Sequence, residues 1–278
     1  MGYRVIAHNT ATASSNKIHD DEVARRFGFR GGLVPGVAVY AYLCHLPAER
    51  WGRAWLEGGR MTARFQSPVY DGDEVDTKGQ EGDGALELSL RDPSGAVCAT
   101  ARAALADRDT VVPDPADWPS GPPPSEPPPA TADAFRAAPF GRLETPFAAG
   151  DAAHYLDDVR EWLPLFREAG PAHPAWLLRL ANRILVANVR LGPWIHVEST
   201  VQHLGVVEDG DVVETRALVT GLTERSGHHF VELDVLQLAE GRPVARTAHT
   251  AIYQPRGSAP PSAGAGDPAG ASLHGGRP

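Results

Sequence analysis

The chain has 278 residues, 42% of them hydrophobic, which is enough for one large core or for two cores of about 100–150 residues each. Its net charge of −9 argues against a sequence-independent grip on nucleic acid, because phosphate binding needs clustered Lys and Arg. No apolar run approaches the roughly 18 residues of a membrane span, and the N-terminus shows no basic region followed by an apolar run. We therefore expect neither a nucleic-acid nor a membrane partner, and a cytoplasmic location by default.

The first half predicts a short helix, a long buried helix and three strands. Asp20 and Asp21 cap an amphipathic helix that ends at Gly28. After a glycine-rich loop at 30–34, the run PGVAVYAYLCHL (35–46) is apolar on nearly all faces, and such a helix must be buried. Alternating apolar positions bounded by Gly and Asp then predict strands over 69–75, 86–90 and 95–105.

The second half repeats this plan after a proline-rich segment. Residues 107–134 contain two PPP runs, so we expect an extended, semi-rigid linker there. A second buried helix over 174–189 precedes three further strands, over 207–213, 230–236 and 241–252. The tail over 257–278 is dominated by Gly, Ala, Ser and Pro, which predicts disorder.

The two halves resemble each other. Asp-Gly-Asp turns at 71–73 and 209–211 lie 138 residues apart, and Thr100 falls opposite Thr247 in the strands that follow. Three segments in the same order predict a duplicated module. One long helix wrapped by an antiparallel sheet is the hot-dog arrangement, and two of them pair into one continuous sheet. The predicted fold is therefore an α+β double hot-dog, with modules over 1–106 and 135–256.

Cysteine and histidine spacing predicts neither a metal site nor a cofactor. Cys44 and Cys98 have apolar flanks and no CxxC spacing, so we expect buried thiols, with a single disulfide left open. The histidines lack ligand spacing, and the adjacent His228 and His229 would point to opposite faces of a strand. No phosphate-binding loop or nucleophile elbow is present.

The segment from Ser14 to Gly36 carries the strongest functional signal. His19 lies just ahead of the short helix, and Pro35 and Gly36 begin the long buried helix. The first backbone N–H groups of a helix are unpaired and carry the positive end of its dipole. A carbonyl oxygen placed at Gly36 would be polarised there as in an oxyanion hole.

This segment resembles the MaoC-like, hydratase-2 type enoyl-thioester hydratases and dehydratases. Their pattern is close to D-x-N-P-[ILV]-H-x-D, then A, then G-F, then H-G-M at the start of the central helix. The run RFQSPVYDGDEV (64–75) also resembles the strand R-F-x-x-P-V-x-x-G-D of that family. The resemblance covers much of the first half and is thinner in the second. The matching residues of the first pattern are Asn16, Ile18, His19, Asp21, Ala24, Gly28, Phe29 and Gly36.

The resemblance implies a hydro-lyase that acts on acyl-CoA or carrier-bound acyl thioesters. In that family a His and an Asp activate water for syn addition to C3 of a 2-enoyl thioester, while a backbone N–H binds the thioester oxygen. Carried over, His19 is the acid or base, Gly36 donates to the oxygen, and Asn16 fixes the loop. Asp21 either orients His19 or serves as a helix cap. The two modules are compatible with a monomer or with a homodimer.

Departures from the pattern keep other functions open. Ser14 stands where the family has its catalytic Asp, five residues before His19, and Pro35 replaces the histidine of H-G-M. In the second half Glu161 falls at the acidic position and Phe166 at that of the histidine, so each half alone lacks one member of the dyad. The alternatives are a hot-dog thioesterase and a catalytically degenerate acyl-thioester-binding or partner subunit.

Overall fold

The computed structural model describes residues 1–12, 14–106, 110–167 and 170–258. The predicted disordered tail therefore lies, beyond residue 258, outside the described residues. The described residues form six α-helices: α1 (Asp21–Arg26), α2 (Gly36–Trp51), α3 (Arg53–Gly58), α4 (Ala132–Ala137), α5 (Ala149–Asp158) and α6 (Pro174–Asn188). They also form ten strands: β1 (Gly2–Ile6), β2 (Gly59–Phe65), β3 (Glu74–Gly82), β4 (Ala85–Arg91), β5 (Val97–Leu105), β6 (Leu143–Pro146), β7 (Ile195–His203), β8 (Val212–Arg225), β9 (His228–Ala239) and β10 (Arg242–Gln254).

All ten strands belong to one antiparallel sheet in the order β1-β3-β4-β5-β2-β7-β10-β9-β8-β6. The first module supplies five adjacent strands and the second module supplies the other five. They meet where β2 pairs with β7, so the predicted pairing of two modules into a continuous sheet is confirmed.

The two modules are related by a local two-fold symmetry about the centre of the β2–β7 pairing. Thr62 pairs with Thr200, and their hydroxyl oxygens lie 2.9 Å apart. These threonines are 138 residues apart in the sequence, the same separation as the two Asp-Gly-Asp turns. The same separation relates Gly36 at the start of α2 to Pro174 at the start of α6. The duplication seen in the sequence is therefore a structural one.

The predicted correspondence between Thr100 and Thr247 is wrong by one residue. Thr62 pairs with Arg102, and its counterpart Thr200 pairs with Ala248, so Ala101 is the residue that corresponds to Thr247. A one-residue shift moves a strand residue to the other face of the sheet. In agreement with this register, Ala101 and Thr247 are both buried.

The two long helices form the centre of the core. Every residue of α2 from Val37 to Ala48 is buried, as the apolar sequence predicts, and the helix continues past its predicted end at Leu46 to Trp51. Helix α6 packs against α2 on the same side of the sheet. Both cysteines are free and buried. No helix in the described ranges is long and apolar enough to cross a bilayer.

The proline-rich segment packs against the second module. From residue 110 onward it is described, and Trp118 is buried against Leu236 and Leu238 of β9, with its indole N–H donating to the carbonyl oxygen of Asp234 at 2.9 Å. Residues 231, 233 and 235 face the main core, whereas 236 and 238 alternate to the opposite side. Trp118 therefore covers part of β9 on the face of the sheet opposite the main core.

The buried centre of α2 should dominate stability. We expect Leu43→Ala to lower the free energy of unfolding by about 2–5 kcal/mol, because a fully buried leucine leaves a cavity when it is truncated. The matched control is Leu105→Ala at the exposed end of β5, where we expect a change within about 0.5 kcal/mol. Urea denaturation of both variants measures the difference, and equal losses would contradict this description of the core.

Candidate active site at the start of helix α2

Two consecutive helix caps place His19 between a 3-10 helix and α1. Asn16 caps a 3-10 helix at Lys17–His19, and its side-chain oxygen accepts from the amide of Ile18. Asp20 then caps α1 by accepting from the amides of Glu22 and Val23. The buried side chain of Ile18 anchors this turn in a small apolar cluster with Ala24 and Leu33. His19 consequently stands at the corner between the two helices.

One hydrogen bond fixes the tautomer of His19. The Nδ1 atom lies 2.7 Å from the carbonyl oxygen of Leu33, and only a protonated nitrogen can donate to a carbonyl. Burial lowers the pKa of His19, and the bond to Leu33 opposes this only in part. The imidazole is therefore neutral at pH 7, with its basic lone pair on Nε2.

Asn16 connects this loop to the second module. Its side-chain oxygen accepts from the amide of Trp194 at 3.2 Å, and its amide nitrogen donates to the carbonyl oxygen of Trp194 at 3.0 Å. The same amide nitrogen lies 3.4 Å from Nε2 of His19. Because Trp194 directly precedes β7, the asparagine holds His19 against the junction between the modules.

Gly36 allows β7 to approach the start of α2. A Cβ atom at this position would lie 3.0 Å from Nδ1 of His196 and 3.2 Å from its Cβ. Contacts that short force a neighbour to move, and here the neighbour is a buried ring. Pro35 precedes the helix without a side-chain cap, so the amide of Gly36 has no intrahelical or capping partner.

A chain of three buried polar side chains continues from His196 into the sheet. Nε2 of His196 lies 2.8 Å from the hydroxyl of Ser199, which lies 3.0 Å from Nδ1 of His249. Burial lowers the pKa of His249 to about 4. Burial also lowers the pKa of His196 well below its ordinary value, with a contribution from His249 and partial opposition from the backbone of Glu198. Both rings are neutral at pH 7.

The other residues predicted for the site contact the loop rather than His19. Ser14 accepts from the amide of Asn16 at 3.1 Å. Asp21 accepts from the amide of Gly32 at 2.8 Å and pairs with Arg25. Within the described ranges, the hydrogen-bond partners of the His19 ring are Leu33 and Asn16, and no carboxylate is among them.

Comparison with known proteins identifies the fold. No family model and no curated protein sequence matches the chain. Among solved structures it is similar to a MaoC-like dehydratase at 14% identity, covering 91% of this chain and 98% of that chain with a TM-score of 0.57. The chain has the MaoC-like double hot-dog fold. It is also similar to RV0216 from Mycobacterium tuberculosis, which has a double hotdog fold, at 14% identity, 91% and 95% coverage and a TM-score of 0.56.

A third similar structure is an N-terminal dehydratase from the difficidin assembly line. The identity is 12%, the coverage is 92% of this chain and 94% of that chain, and the TM-score is 0.50. At these identities the similarity shows the fold alone. The chemistry of this chain has to be argued from its own residues.

The second module of this double hot-dog holds a buried carboxylate. Glu161 is 1% exposed, and its Oε1 accepts from Nδ1 of His45 at 2.9 Å and from the amide of Leu163 at 2.8 Å. Nε2 of His173 lies 3.7 Å from its Oε2, which is too long for a hydrogen bond. Phe166 occupies the position that aligns with the histidine of the family pattern, and its ring packs against that of His173. The sequence offered no histidine partner for Glu161, and the structure supplies one from α2 of the other module.

Burial opposes ionisation of Glu161, but His173 and His45 together outweigh it and lower the pKa of the carboxyl group to about 2. Since the ordinary value is 4.5, the unfolded chain takes up a proton before the folded chain does. The resulting stabilisation is complete above pH 4.5 and is lost as the pH falls toward 2.

We expect Glu161→Gln to lower the free energy of unfolding at pH 7 by roughly 3 kcal/mol, because it removes the charge that two buried imidazoles stabilise. The gap to the wild type should narrow as the pH falls from 4.5 toward 2. Glu57→Gln, which removes a surface ion pair with Arg53, should cost at most about 1 kcal/mol. Denaturation curves across this pH range test the claim, and a gap that stays constant in acid would refute it.

Proposed function

We propose that the protein is a hydro-lyase that interconverts 3-hydroxyacyl and 2-enoyl thioesters of coenzyme A or of an acyl carrier. The observation that carries this proposal is the tautomer of His19. Its Nδ1–H is committed to Leu33, so Nε2 is a neutral base, and Leu33 lies three residues before Gly36, whose amide is unpaired. A base and an oxyanion donor beside each other are what proton removal next to a thioester carbonyl requires. Two of the similar structures are dehydratases by name.

One imidazole is sufficient for the reaction. In the dehydration direction, the amide of Gly36 donates to the thioester oxygen while Nε2 of His19 takes the proton from C2. The C–H electron pair moves into the carbonyl and forms an enolate. Collapse of the enolate breaks the C3–O bond, and the departing hydroxyl receives the proton that His19 now carries. Water and a 2-enoyl thioester result, and His19 is neutral again.

This route explains how the site works with Ser14 at the position of the missing aspartate. The proton removed from C2 is the one that the leaving hydroxyl needs, and in a syn elimination both groups lie on the same face of the substrate. A single base can therefore serve both positions in turn. Ser14 is left to shape the loop through its hydrogen bond from the amide of Asn16.

A second candidate function is an acyl-thioester-binding subunit without turnover. The observation in its favour is that no carboxylate among the described residues hydrogen-bonds to His19. In addition, the amide nitrogen of Asn16 lies 3.4 Å from the lone pair on Nε2 that a base would use. Binding of an acyl-CoA without any conversion would favour this function over the hydro-lyase.

We expect His19→Ala to lower kcat for hydration of crotonyl-CoA about 10²–10⁴-fold, because the proposed base is removed. The matched control is His154→Ala on α5, an exposed histidine that should leave the rate unchanged. In the wild type, kcat/KM should fall in acid with a midpoint below 6.5, since burial lowers the pKa of the base.

Stopped assays that follow enoyl-CoA, 3-hydroxyacyl-CoA and free thiol separate the candidate functions. An unchanged rate in His19→Ala would rule out His19 as the base. Release of free thiol from saturated acyl-CoA, without hydration of the enoyl substrate, would replace the hydro-lyase with the thioesterase alternative.

A further inference from the structure

The hydrogen-bonded series His196, Ser199 and His249 has an unpartnered ring nitrogen at each end. Nδ1 of His196 and Nε2 of His249 are buried, and neither has a hydrogen-bond partner among the described residues. The backbone of Glu198 lies close enough to the ring to raise the pKa of His196, but no hydrogen bond joins it to Nδ1. Buried polar atoms are usually paired, so an orphan at each end calls for an explanation.

The hydroxyl between the rings allows two proton arrangements. In the first, His249 donates from Nδ1 to Ser199, Ser199 donates to Nε2 of His196, and the remaining proton of His196 is on Nδ1. In the second, every bond is reversed, and the free N–H is on Nε2 of His249. A neutral imidazole carries one proton, so each arrangement leaves one orphan donor and one orphan acceptor. A ligand that accepts at Nδ1 of His196 selects the first arrangement.

The orphan nitrogen of His196 lies against a helix start. Nδ1 of His196 is 3.0 Å from the point where a Cβ of Gly36 would be, so this nitrogen faces the Cα of the first residue of α2. The unpaired amide of the same residue is adjacent. The glycine lets the imidazole lie close to the start of the helix.

We propose that His196 is a second donor to the substrate, its Nδ1–H binding the same thioester oxygen as the amide of Gly36. This role rests on the proposed function, because it assigns a ligand to the same helix start. Ser199 and His249 are positioning residues, since they hold His196 in the tautomer that donates. The thioester oxygen is the acceptor that the orphan N–H lacks in the free protein.

Such a pair of donors spans both modules. The amide of Gly36 belongs to the first module and His196 to the second, so the oxyanion site exists only when β2 and β7 are paired. A preorganised neutral donor in a buried site stabilises an enolate more than it stabilises the ground-state carbonyl. Loss of His196 should therefore affect kcat more than KM.

The first experiment measures crotonyl-CoA hydration by the full-length protein. His196→Leu should lower kcat about 10²–10³-fold with little change in KM. His196→Asn places an amide nitrogen at the level of Nδ1 and should recover a large part of the rate. The matched control is His203→Leu, a buried histidine on the same strand that also has an unpartnered ring nitrogen but does not contact Gly36. Its kcat should stay within about threefold of the wild type.

The second experiment does not depend on turnover. Calorimetry compares butyryl-dethia-CoA, a ketone in which CH2 replaces sulfur, with S-butyl-CoA, which lacks the carbonyl. The wild type should bind the ketone about tenfold more tightly, as expected for gain of a hydrogen bond to a fixed donor. This preference should fall several-fold in His196→Leu, where the amide of Gly36 is the remaining donor, and should weaken in Ser199→Ala.

The outcomes distinguish the two proposals. A carbonyl preference that is reduced in His196→Leu but not in His203→Leu, together with no turnover of any thioester, would support the role of His196 and overturn the hydro-lyase. Turnover that depends on His19 but is equal in His196→Leu and His203→Leu would overturn the role of His196 alone. Equal affinity of the wild type for both ligands, or no binding of either, would also overturn it.

Discussion

The pairing of β2 with β7 is the interaction on which the rest of the structure depends. It covers five residue pairs, from Arg60 with Gln202 to Arg64 with Glu198, and it turns two incomplete sheets into one. Both candidate sites combine residues of the two modules. Gly36 meets His196 across this junction, and Glu161 meets His45 across it. Each site therefore draws on residues of both modules.

The cluster around Ser199 and the cluster around Glu161 bury their polar groups in different ways. His196 and His249 stay neutral, and Ser199 satisfies one nitrogen of each ring. Glu161 stays ionised, which in a buried site requires compensation by neighbouring imidazoles. The neutral cluster of His196, Ser199 and His249 has unpartnered ring nitrogens that can bind a ligand. The charged carboxylate of Glu161 already has its partners, and its bond to His45 stabilises the contact between the two modules.

Local features of the sequence predicted the fold well, because they depend on periodicity and turn chemistry. The apolar run in α2, the cap at Asp20 and the repeated Asp-Gly-Asp turns all act over a few residues. The match between Thr100 and Thr247 was wrong because residue identity says nothing about strand register. The grouping of His196, Ser199 and His249 was missed for a related reason. It requires the pairing of β7 with β10, which joins residues about fifty positions apart.

The central claim is that a thioester carbonyl binds at the start of α2, between the two modules. The most direct measurement is a crystal structure of the protein with butyryl-dethia-CoA. The ketone oxygen should lie about 3 Å from both the amide of Gly36 and Nδ1 of His196, with C2 facing Nε2 of His19. A ketone oxygen bound beside Glu161, or one that contacts neither donor at Gly36 and His196, would contradict it.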